Sequence, residues 1–215
     1  MQSTPSPSPA AAPANAALTD ICTEISLQID MAKQAKEVWD YIGDHAEAIN
    51  EAKYGGFFGV AQQAVLHEMI LAICRAFDDN PRVLSIKQAI NSFGTSSNVK
   101  IDALKGCLAD FGANSAKIAN LSDVKLLEFA QKHMRQALQK DINPHLDGIR
   151  KIRHEYIAHN ARVKTQFDIN QKDIEFCLSW AEKFIHMTYK SFGTHDLVPR
   201  IVGARAKRQP GKPLI

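Results

Sequence analysis

The chain has 215 residues, of which 45% are apolar and include ten Phe and two Trp, enough for one packed domain with tails. Its formal charge of +3 is unevenly placed. Arg200, Arg205, Lys207, Arg208 and Lys212 face only Asp196 in the segment 193–215, so the rest of the chain is close to neutral and is not a basic body.

No run of about 18 apolar residues is visible, which excludes a membrane-spanning helix at this level. The N-terminus has no charged start followed by an apolar stretch, so it does not read as a secretory signal. Cys22, Cys74, Cys107 and Cys177 are far apart, with no Cys-x-x-Cys pair, each in or beside an apolar stripe. That pattern predicts reduced, buried thiols in a cytoplasmic protein, with no structural zinc.

In chain order, residues 1–17 are Pro, Ser and Ala and predict a disordered lead-in. A helical period starts at Leu18 and continues through Ile21, Ile25, Ala32, Ala35, Trp39, Ile42, Ala46 and Ile49, with Gly55-Gly56 expected to end it. A second helix is expected from Phe57 to Phe77, stopped by Asp78-Asp79-Asn80-Pro81, and a short one from Val83 to Ile90. Within 91–120 only a helix near Ile101 to Phe111 is legible. Val124 to Ile142 predicts another helix. Asn143-Pro144 reads as a cap with Pro at the first helical position, so a new or kinked helix starts there. Asp168 or Asn170 opens a final helix carrying Ile174, Cys177, Leu178, Ala181, Phe184 and Ile185, closed by Gly193. No period-two segment is convincing. The expectation is an all-α, up-and-down bundle of four main helices plus short ones over 18–192, followed by a basic tail, 193–215.

Several chemistries fail on spacing. His154-Glu155 and His159 resemble a zinc-protease word, but the histidines are five apart, about 140° around an α-helix, and no ion is reached by both. No nucleophile elbow and no Gly-rich phosphate loop occur. His45, His67, His133, His145, His186 and His195 are scattered and read as surface or satisfied boundary groups.

What remains is Ile152-Arg153-His154-Glu155-Tyr156-Ile157-Ala158-His159-Asn160: arginine, a polar residue, four positions, then histidine. This word resembles the motif of the HEPN superfamily, small helical bundles that include many metal-independent ribonucleases. "IRHEYIAHN", together with "LAICRAFDD" (Leu71 to Asp79), is more specifically similar to the AbiU-type abortive-infection group. The resemblance covers roughly residues 20–192. It departs in one place: an acid is expected within two residues after the histidine, where Asn160 and Ala161 stand.

The resemblance implies an endoribonuclease without cofactor or metal, with His159 as general acid/base, Arg153 as transition-state cation and His154 as helper. It also implies RNA as substrate, a homodimer that builds the site across its axis, a toxin or phage-defence role, and an antitoxin partner. The chemistry is coherent without the family. RNA carries its own nucleophile in the 2′-hydroxyl; an imidazole titrates near neutrality; a guanidinium suits the crowded phosphorane oxygens. On an α-helix Arg153 and His159 are about 9 Å apart along the axis and about 120° around it, so a two-fold pairing converges them better than one helix does.

Glu155, four before His159, is placed to orient its ring, and Tyr156 and Asn160 to position substrate. Arg150, Lys151, Arg162 and Lys164 belong to a locally basic stretch expected to attract the phosphate backbone, with the tail adding a salt-sensitive contribution. Two other readings stay open: a non-catalytic helical module binding RNA, nucleotide or protein, and a purely structural helical dimer.

Overall fold

A computed structural model describes residues 14–96, 99–158 and 170–192, with side chains from 18 onward and excluding 156–158. Among these residues the protein is all helical. Helix α1 (Ala14–Asp44) begins four residues before Leu18, inside the expected lead-in. It buries Leu18, Ile21, Cys22, Ile25, Ile29, Ala32, Ala35 and Ile42, the predicted stripe. At His45 the helix breaks, and His45 Nδ1 meets the Tyr41 carbonyl at 2.9 Å, satisfying one of the orphan acceptors at a helix end.

Helix α2 (Ala46–Glu51) follows, and then a turn at Ala52–Tyr54. Lys53, at φ 64°, makes the reversal, not the glycine pair expected to end the element. Gly55 and Gly56 instead open α3 (Gly55–Ala76). A Cβ at Gly55 would meet Asn50 Oδ1, the end of an exposed side chain that would have to rotate aside.

Helix α3 is long and apolar enough to cross a membrane by length and composition, contrary to the expectation from the sequence. Gln62, Gln63, His67 and Glu68 interrupt the apolar run, but only Glu68 carries a full charge, so the mean hydropathy stays high. Its second half supplies core residues: Met69, Ile70, Ala72, Ile73, Cys74 and Ala76.

Ser85, fully buried, precedes α4 (Ile86–Ser92), and its Oγ donates to the Asp78 carbonyl at 2.8 Å. A 3-10 turn (Phe93–Thr95) and α5 (Ile101–Asp110) come next. Helix α6 (Ser115–Ala119) is too short to show a period. Asn114 caps it, accepting from Ala116 N at 3.0 Å and Lys117 N at 3.2 Å.

From Asp123 to Ala158 the backbone is helical without a break: α7 (Asp123–Ala137), a π turn (Leu138–Ile142), α8 (Asn143–Ile152) and a second π turn (Arg153–Ala158). The expected cap at Asn143 is corrected, because Asn143 is helical at φ −54° and ψ −40°. Pro144 has no N–H for the carbonyl four residues earlier, and its ring crowds that carbonyl in an unbroken α-helix. A wider i→i+5 turn directly before it accommodates both problems without ending the helix.

Helix α9 (Gln171–Phe192) closes the described fold, with Lys172 N donating to Asn170 Oδ1 at 3.1 Å as a cap. Gly193, its predicted stop, lies outside the described residues. The core runs through α9, where Trp180 and Phe184 stack at 5.7 Å and Phe93 stacks on Phe184 at 6.0 Å and on Phe192 at 4.9 Å. Helix α1 packs along α3, and α8 lies against both α3 and α9. That last arrangement positions the site.

Candidate active site on the late helix

The buried face of α8 (Leu146, Ile149, Ile152) fixes which way its polar residues point. Arg150 is drawn to the end of α3. Its Nη2 donates to the Phe77 carbonyl at 3.1 Å and to Asp79 Oδ2 at 2.9 Å. A cation on the last carbonyls of a helix is favoured by both hydrogen bonding and the helix dipole. Asp79 also receives Lys87 Nζ at 3.1 Å, and Asp147 Oδ1 lies 3.8 Å from Arg150 Nη1.

The Phe-Asp-Asp word after α3 thereby acquires a physical meaning. Phe77 is buried against Trp180, with ring centroids 6.1 Å apart. Asp78 Oδ1 accepts from Asn80 N at 2.8 Å to shape the turn, and Asp79 ties the turn to α8. Arg150, expected among the RNA-facing cations, is engaged in this tie.

Arg153 opens the second π turn and is exposed, as are Lys151 and His154; Glu155 is half-buried. The Arg153 guanidinium lies near the buried thiol of Cys74 on α3, close enough to act on its charge. Burial pushes that thiol up, while Arg153 and Arg150 pull it the other way. Guanidinium has five donors, so one thiol contact leaves others for a phosphate. The Cys177 thiol on α9 is pushed up to about 12, by burial first and then by Asp173 and Cys74, with Arg150 opposing. Arg150, Arg153, Cys74, Cys177 and Asp173 thus share one junction of α3, α8 and α9.

The family model described as AbiU2, of HEPN type, matches residues 23–185. The chain belongs to the HEPN AbiU2 family. No curated protein and no solved structure gives a match. In this HEPN domain the matched span takes in both quoted words, "LAICRAFDD" and "IRHEYIAHN", and the structure sets the first beside the start of the second. Family membership suggests an abortive-infection, HEPN-type ribonuclease role.

Of the site residues expected from sequence, Arg153, His154 and Glu155 fall in one turn. Tyr156 lies in the same turn, with only its backbone described. His159, Asn160, Arg162 and Lys164 lie outside the described residues. Because Arg153–Ala158 is a π turn, the α-helical angles expected between Arg153 and later positions do not apply to it.

Sequence reasoning left three groups of this HEPN domain without a role. His145 on α8 places Nδ1 2.6 Å from Asp173 Oδ1, and Phe176 packs on the imidazole with centroids 4.3 Å apart. His133 and His45, by contrast, are satisfied by backbone carbonyls, as expected of boundary histidines. Asp173 is 28 residues from His145, so no spacing rule joins them. The one available signal was Phe176, an aromatic lying off the buried stripe of α9.

Proposed function

We propose that this chain is a metal-independent endoribonuclease acting in phage defence from the cytoplasm. His159 serves as general acid/base, Arg153 as the cation that stabilises the phosphorane, and His154 as helper. The reading is carried by the family match over residues 23–185, which includes exposed Arg153 at the head of a π turn. π turns recur at functional sites because they re-aim side chains without ending a helix.

In this mechanism the 2′-hydroxyl attacks the adjacent phosphorus as an imidazole takes its proton. The P–O5′ bond breaks, and O5′ leaves with a proton from an imidazolium. A second copy of the chain brings its own Arg153 and His159 to the same cleft, and an antitoxin holds the assembly silent.

The test is cleavage of structured and unstructured RNA in excess chelator by wild type, Arg153→Ala and His159→Ala. Cutting by wild type alone, with all three proteins melting at nearly the same temperature, is the expected result. Cutting that survives in His159→Ala removes the assigned acid/base. RNA binding without cutting by wild type supports the non-catalytic module instead.

A further inference from the structure

Two turns before Arg153, the molecule carries an aromatic pair that the core does not use. Phe176 is 41% exposed although α9 turns Ile174, Cys177, Leu178 and Ala181 inward on either side of it. Against its face lies His145, whose side chain is 37% exposed, with ring planes inclined by 39°. Asp173 accepts from His145 Nδ1 at 2.6 Å and so fixes the imidazole's orientation and its tautomer. A core histidine needs no exposed phenyl ring beside it, and a simple clip between α8 and α9 needs only the carboxylate.

The charges around the pair indicate what it takes. Asp173 touches His145, and exposed Asp147 follows two residues later on α8, with exposed Lys172 at the start of α9. Further along, Arg150 and Arg153 face the α3 side. A phosphate is favoured at the arginine end and disfavoured beside Asp173. A flat, uncharged ring system is favoured at the aromatic end, because unpaired bases stack on Phe and His and every base has a π-face. Eight residues of helix separate His145 from Arg153, about 12 Å. That span is between three and four stacked nucleotides at about 3.4 Å each.

We infer that His145 and Phe176, held by Asp173, form a subsite for one unpaired nucleobase of the RNA whose phosphate lies at Arg153. The inference rests on the ribonuclease reading and narrows its substrate class to RNA single-stranded over those nucleotides. His145 here positions substrate by stacking and takes no part in proton transfer.

The test uses the full chain and a short single-stranded oligoribonucleotide carrying 2-aminopurine at successive positions. Affinity is read by anisotropy, stacking by quenching, and folding by melting temperature. One position should quench in wild type. Phe176→Leu, at an exposed site, should keep its melting temperature, lose that quench and weaken binding about five- to thirty-fold. His145→Ala should do the same, and Arg153→Ala should weaken binding while keeping the quench.

Unchanged affinity and quench in both aromatic variants overturn the subsite and leave the ribonuclease reading standing. Duplex RNA bound as tightly as the single strand overturns it too. Adenosine monophosphate displacing the oligonucleotide at equal concentration overturns the strand assignment in favour of a free nucleotide. A wild type that neither binds nor cuts any RNA removes both the ribonuclease reading and the subsite.

Discussion

The α1–α3 hairpin has two ends made from the same pair of helices, and they have opposite surroundings. At the inner end Ile25, Ile29, Met69, Ile70 and Ile73 are enclosed by α4, α8 and α9. At the outer end Val38, Tyr41, Tyr54, Phe57 and Val60 are exposed, Phe57 to 71%. Apolar residues therefore mark the core of this protein only where a third helix arrives. Apolar residues occur along the whole of α3, but only those of its second half are packed into the core.

The largest effect belongs to the enclosed end. Phe184→Ala removes a fully buried ring that stacks on Phe93 and Trp180, and should cost about 3–5 kcal/mol in urea unfolding. A loss under about 1 kcal/mol would mean that the inner end is no more tightly packed than the outer.

Next is the response to alkali. The Cys22 and Cys177 thiols, both at the enclosed end, are pushed up to about 12 from 9.0, chiefly by burial. Below pH 9 both states keep these protons. Between pH 9 and 12 the unfolded chain releases them while the folded chain holds them, so stability falls as pH rises. The slope approaches about 1.4 kcal/mol per pH unit for each thiol. Urea midpoints from pH 8 to 10.5 should drop faster for wild type than for Cys22→Ala/Cys177→Ala; parallel curves would show that neither thiol is held protonated by the fold.

The smallest effect is at the tip. Phe57→Ser should change stability by no more than about 0.5 kcal/mol, since its ring contributes almost nothing to the enclosed core. A loss comparable to that of Phe184→Ala would erase the distinction between the two ends.

Legibility followed the same division. The stripe of α9 and the inner stripe of α1 were readable because each faces the core along its whole buried length, so periodicity and burial coincide. Helix α6 was not, since five residues make little more than one turn. Pro144 signalled a real disturbance, but sequence rules offer a new helix or a kink, and the chain took a wider turn instead. Arg153 and His154 were singled out by a local word, whereas His145 was not, because its contacts are with Asp173 and Phe176 on the following helix, α9. Local words survive in one dimension; constellations assembled by packing do not.

The turn at Leu138–Ile142 also sets the angular phase of everything after it. A π turn is an α-helix carrying one residue too many, and one residue is about 100° of rotation. Helix α7 is anchored by Leu126, Ala130 and Met134, and α8 by Leu146, Ile149 and Ile152. With both inner faces fixed, the surplus residue between them decides whether Arg150 meets Asp79 and whether Arg153 meets Cys74. The aim of Arg153 is thus encoded as a count of residues more than ten positions upstream. A single insertion or deletion there would turn the arginine away without altering any residue that touches it.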